Sequence, residues 1–247
     1  VLRGRVRIWS RRVLATTALA AFVGGGAALA RLALDEPEPR AVPAGGDTLP
    51  VTSRPEMPPP PAAPGPRPAA PSRAVGLPWR GRLVAGRQLA PSASAYFTWD
   101  PIRERSPNRA WRRWGTARLV GTLRRVLREF AAAHPGAPRV GVGDLSRPRG
   151  GDFGPRFGRP GHVSHQNGLD ADVYYPRRDR RERAAESPAD VDRALAQDLV
   201  DRFVRAGAVK VFVGPSLRLR GDPAIVQPLR LHDDHLHVRL APDDAAG

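Results

Sequence analysis

The 247-residue chain contains no cysteine, one lysine (Lys210) and one methionine. Without cysteine there is no disulfide scaffold, thiolate zinc finger, iron–sulfur cluster, cysteine nucleophile or lipid-modified cysteine anchor. A metal would have to be held by histidine and carboxylate side chains. The sequence also lacks His-Glu-x-x-His, Gly-x-Ser-x-Gly and Gly-Lys-Ser/Thr. Those absences remove the zinc-helix proteases, the α/β-hydrolases and the phosphate-loop enzymes.

The formal charge is +16, and 39 of the 40 basic residues are arginine, a bias that reads as a codon preference rather than as selected phosphate contacts. Residues 1–30 hold five arginines and no acid, and residues 31–78 balance five basic against five acidic side chains. The rest holds thirty basic and nineteen acidic residues, a net +11. Such a surface suits nucleic acid, an anionic membrane or an anionic cell wall alike.

Residues 1–30 read as an export signal or N-terminal anchor. A basic stretch Arg3–Arg12 precedes an uncharged one, Val13–Ala30, that ends in the small-x-small site Ala28-Leu29-Ala30. Ser10-Arg11-Arg12-Val13-Leu14 resembles a twin-arginine signal, so both export routes stay open. Eighteen uncharged residues lie at the lower edge of a membrane span, although Gly24–Gly26 weakens a durable anchor. Residues 31–78, with half of the 28 prolines, are expected to form an extended linker.

Residues 79–247 are long enough for one domain with its own core. Helical spacing of Leu119, Val120, Leu123, Val126, Leu127 and Phe130 predicts a helix from a Thr116 cap to about Ala133, stopped by His134-Pro135-Gly136. A second helix is predicted to open at Ser187-Pro188 and end at Gly207, and strands are expected at 139–145, 169–175, 209–213 and 234–240. His134 reads as a helix-end residue.

Five of the six histidines fall in two segments totalling 17 residues, His162–Asp172 and His232–His237. In the second, strand periodicity places Leu236, Val238 and Leu240 on one face and His235, His237 and Arg239 on the other, with the two imidazole-bearing Cα atoms roughly 6.5–7 Å apart. In the first, Asp172 emerges beside His165 only if Asn167-Gly168 turns the chain back. Two imidazoles and one carboxylate with a fourth position for water are a recognised catalytic zinc arrangement.

At these residues the chain resembles the penicillin-insensitive murein endopeptidases, a metallopeptidase group that also includes D-Ala-D-Ala carboxypeptidases and the hedgehog fold. The resemblance rests on Ser164-His165-Gln166-x-Gly168-Leu169-Asp170-x-Asp172 and His232-Asp233-Asp234-His235-x-His237-Val238-Arg239. Trp114-Gly115-Thr116, Gly143-Asp144-Leu145-Ser146 and Arg149-Gly150-Gly151 support it. It implies an α+β domain, an antiparallel sheet flanked by helices in the hedgehog/DD-peptidase-like manner. It further implies Zn2+ on His165, Asp172 and His237, His235 as general base, and His162 and His232 as further active-site histidines. The implied substrate is the D-alanyl–diamino acid cross-link of peptidoglycan, cleaved in the periplasm or cell envelope, with no nucleic acid as partner.

The arginines of the 146–161 loop, Arg147 and Arg149 among them, are candidates to grip stem-peptide carboxylates. Two rivals stay open. One is a single-strand DNA endonuclease with a His-hydrophobic-His metal site and Tyr174 or Tyr175 as nucleophile; the other is a zinc-containing wall-binding module without catalysis.

Overall fold

The computed structural model describes residues 71–158 and 161–242, so the expectations for residues 1–70 lie outside the described residues. The first strands are short: β1 (Arg73–Leu77), β2 (Arg80–Val84), β3 (Arg87–Gln88), β4 (Ser92–Ala93), β5 (Tyr96–Thr98) and β6 (Trp114–Gly115). Helix α1 (Ala117–Ala133) leads to β7 (Val140–Val142) and, after a long loop, to β8 (Asp170–Tyr174). Helix α2 (Arg193–Arg205) is followed by β9 (Ala208–Val213), β10 (Val226–Pro228) and β11 (His235–Leu240).

Seven strands form one sheet in the order β10-β9-β11-β8-β7-β5-β4. The α+β class holds. The sheet is mixed, however, rather than antiparallel throughout: its centre, β9-β11-β8-β7, is antiparallel, but β10 runs parallel to β9 and β5 parallel to β7. The parallel partners come from short strands without strong alternation, which periodicity does not reveal.

Helix α1 starts where its cap predicts, with the Thr116 hydroxyl accepting from the Leu119 amide at 3.1 Å. At its other end His134 bonds Asp198 of α2 at 2.8 Å, which ties the two helices together. Helix α2 opens later than Ser187-Pro188. Those residues begin a separate 3-10 turn (Pro188–Asp190), and Asp192 then caps α2 by accepting from the Ala194 and Leu195 amides, both at 3.1 Å. Two acceptor residues in succession made either start chemically acceptable, and the extended Val191 between them separates the turns.

One sheet face carries Val140, Val142, Ala171, Val173, Val211, Val213, Leu236, Val238 and Leu240, all buried in a core with Leu123, Val126, Leu127 and Phe130 of α1 and Leu199, Val200 and Phe203 of α2. Alternation then directs Asp170, Asp172 and Tyr174 of β8, and His235, His237 and Arg239 of β11, away from that core. The strand register pairs them as Asp170 with Arg239, Asp172 with His237 and Tyr174 with His235. The polar site is therefore built on the back of the hydrophobic sheet.

Candidate metal centre

Asp172 is placed by β8, His237 by β11 and His165 by the loop entering β8. His165 takes a left-handed backbone (φ 66°), and Gly168 follows at φ 78°. A side chain on Gly168 would meet Leu83 at 2.8 Å, so the turn needs glycine there. The turn returns the chain as the Asn167-Gly168 reading requires, and His165 Nε2 lies 3.2 Å from Asp172 Oδ1. His237 Nδ1 is 3.4 Å from the same oxygen and 3.3 Å from His165 Nε2.

The hydrogen bonds of the other ring nitrogens decide what these atoms are. His165 Nδ1 meets the Leu145 carbonyl at 2.5 Å, and because a carbonyl only accepts, Nδ1 carries the proton. His237 Nε2 meets Asp170 Oδ1 at 2.8 Å and donates to it. For neutral rings, lone pairs on His165 Nε2 and His237 Nδ1 are left facing a carboxylate oxygen. Asp172 Oδ1 is buried and has no hydrogen-bond partner. Three mutually repelling acceptors at 3.2–3.4 Å call for a cation between them. Zinc ligands about 2.0–2.1 Å from a tetrahedral ion lie about 3.3 Å from one another, so the residues present fit a two-histidine, one-carboxylate zinc.

Asp170 organises two of the three. Its Oδ2 accepts from the His165 amide at 3.2 Å, while Oδ1 also accepts from Arg239 Nε at 2.6 Å. Such outer partners fix ring orientation at metal centres. Burial alone would raise the Asp170 carboxyl, but His237 and Arg239 bring it down to about 2. Burial likewise opposes ionisation of Asp172, and His165, His235 and His162 hold it well below the carboxylate range. Burial pushes His165 down. His237 is driven up to about 9, against its burial, by Asp170 and Asp172.

The remaining histidines surround this triangle. His162 belongs to a looser grouping with His165 and Asp172, whose donor atoms lie within 4.8 Å of one another. Its Nε2 is engaged with Asp144 Oδ2 at 2.8 Å and stands 3.8 Å from Asp172, so the triangle with His237 is the tighter of the two groupings. Asp144 is fully buried, bonded to Arg112 and to Asn108, and lowered to about 2 by His162 and Arg112 despite its burial. His235 Nδ1 bonds Asp234 Oδ1 at 2.7 Å, and its Nε2 lies 3.7 Å from Asp172 Oδ1. Burial lowers and Asp172 with Asp234 raises His235, with a net upward shift. His232 Nδ1 donates to the Arg230 carbonyl at 2.9 Å, its ring 4.7 Å from that of His235; burial and His235 depress it.

A cleft of about 470 Å³ lies over the triangle, walled by Trp79, Phe212, Leu229, Leu231, Arg230 and Arg239 beside the histidines. Arg147 and Arg149 do not line it. Arg147 lies over the Phe157 ring and bonds the Asp152 carbonyl, and Arg149 is exposed, with its carbonyl bound by the Leu83 amide. Asp144, Asp170, Asp234 and Arg239 complete the site without having been assigned roles from sequence. Strand alternation and the Arg239–Asp170 opposition were the available signals.

Residues 74–212 match the family model described as penicillin-insensitive murein endopeptidase. The chain is also 27% identical over 200 residues to the penicillin-insensitive murein endopeptidase of Haemophilus influenzae, an alignment covering 70% of this chain and 65% of that protein. The chain thus spans just under two thirds of that relative's length. His232, His235 and His237 lie beyond the part matched by the family model and reach the site through the pairing of β11 with β8.

Proposed function

Because the chain belongs to the penicillin-insensitive murein endopeptidase family, we propose that it is an exported zinc-dependent DD-endopeptidase that hydrolyses D-alanyl–diamino acid cross-links in peptidoglycan, in the periplasm or cell envelope. The observation that carries the metal part is the near-equilateral set of acceptors on His165, Asp172 and His237. The His, six residues, Asp and later His-x-His spacing supports grouping the domain with the hedgehog and D-Ala-D-Ala peptidases.

When bound, zinc would polarise the scissile carbonyl and acidify the attacking water. His235 is the proton carrier. Asp234 accepts its Nδ1–H and leaves Nε2 directed at the cleft, where it takes the proton of the attacking water and passes it to the leaving amine. His232 has its Nδ1–H committed to Arg230, so only as an imidazolium does its Nε2 donate to a developing oxyanion. His162, anchored by Asp144, and the cleft arginines Arg230 and Arg239 are assigned to holding the substrate.

The tyrosine-nucleophile reading is disfavoured. Tyr174 and Tyr175 are both buried, and the Tyr175 hydroxyl accepts from the Gly214 amide on the core side of the sheet. Incubation of metal-replete protein with cross-linked muropeptide dimers and with single-stranded DNA tests the choice. Dimers are expected to yield monomers, with penicillin present or absent, and DNA to stay intact; a tyrosyl–DNA adduct would overturn the peptidase reading.

A further inference from the structure

Beside the cleft lies a second cavity of about 520 Å³, lined among others by Trp99, Glu104, Tyr174, Arg183, Glu186 and Asp234. It meets the centre through a smaller cavity that shares Tyr174 and Asp234 with it and also touches His162, Asp172 and His235. We propose that this side cavity is a subsite for a primary ammonium group, the free amine of the diamino acid on the acyl-donating stem of the cross-link; the identity of the stem rests on the peptidase reading above.

Three observations converge. The domain is strongly basic, yet the cavity presents three carboxylates against one arginine; Arg183 is paired with Glu186 through one terminal nitrogen while its Nε has no partner, and Asp234 also accepts from His235. Glu104 is exposed at the cavity rim and makes no ion pair or hydrogen bond among the described residues, which leaves its carboxylate open to a ligand. Independently, Tyr174 is 4% exposed, walls both cavities, and its hydroxyl has no hydrogen-bond partner among the described residues. That hydroxyl opens on the cavity without a protein partner, and an ammonium group supplies one. The three donors of one ammonium can be shared among the Tyr174 oxygen, Asp234 and Glu104, which line the cavity together, and Trp99 adds an aromatic wall. A cross-linked diamino acid has its second amine acylated, whereas the diamino acid of the acyl-donating stem keeps a free one. The subsite therefore fixes which stem lies on which side of the scissile bond.

The test compares a cross-linked dimer with its N-acetylated form, which loses the charge, and its N,N-dimethylated form, which keeps it. For the metal-replete full chain, acetylation is expected to lower kcat/KM about tenfold through KM, and dimethylation by less than about threefold. In Glu104→Gln combined with Tyr174→Phe the preference is expected to fall to about one. Glu129→Gln, on the exposed side of α1, is expected to keep it. Calorimetry with uncross-linked stem peptide, free or acetylated, makes the same comparison without turnover, so a chain that cleaves nothing would sink the peptidase reading while the binding ratio still decides the subsite. Equal handling of free and acetylated ligands, or a preference that survives the double variant, would overturn the proposal.

Discussion

His165 and His237 reach the centre through opposite ring nitrogens, Nε2 in one and Nδ1 in the other, because Leu145 and Asp170 occupy the nitrogen each does not use. His235 shares a strand face with His237 but is held by Asp234 and points past the triangle. The division is testable by substitution. His165→Ala and His237→Ala are expected to lose most of the one zinc per chain in elemental analysis. His235→Ala is expected to retain it and to lose about a hundred- to ten-thousandfold in kcat. Zinc lost from His235→Ala and kept by His237→Ala would exchange the two roles. Asp170→Asn should weaken zinc binding about ten- to a hundredfold in a chelator competition, since Asp170 orients His237 and the His165 backbone; unchanged affinity would remove it from the site.

At the scale of elements, the sequence was most informative where one periodicity ran long enough. The α1 stripe and the alternation in β8 and β11 were legible, and with them the face on which His235, His237 and Asp172 would lie. The two- and three-residue strands β3–β6 were not, because no alternation develops in so few residues, and β3 with β6 and β5 with β7 pair across distant segments. The late start of α2 was hidden by two adequate caps, Ser187 and Asp192. Arg147 and Arg149 sit in a loop whose direction no repeating pattern sets, so their place outside the cleft lining was not legible, whereas Arg239 inherits its direction from β11. The α1 cap offers a clean check. Thr116→Ala is expected to cost about 1 kcal/mol and to lower Tm in a thermal melt, leaving zinc content unchanged.

At the scale of the molecule, three of the four buried carboxylates among the described residues, Asp144, Asp170 and Asp172, gather at the site, and acid should find it. Asp144 is held at about 2 against an ordinary 3.8, so its contribution is fully present above about pH 3.8 and is lost as the pH falls toward 2; the difference amounts to about 2 kcal/mol. Asp144→Asn strands the buried Arg112, which should cost about 3–5 kcal/mol at neutral pH, and denaturant melts of this variant should show a flatter loss of stability between pH 4 and 2. An equal slope in both proteins would remove Asp144 from the acid response.

The family assignment and the geometry meet in one expectation, that cross-link hydrolysis depends on a metal held by His165, Asp172 and His237. The most direct measurement follows conversion of a cross-linked muropeptide dimer to monomers by protein stripped with chelator, then by the same protein with one equivalent of zinc restored. Turnover should vanish on stripping and return with zinc in the wild type, and should not return in His237→Ala. Full hydrolysis by the stripped protein, with its zinc content verified as nil, would contradict the account.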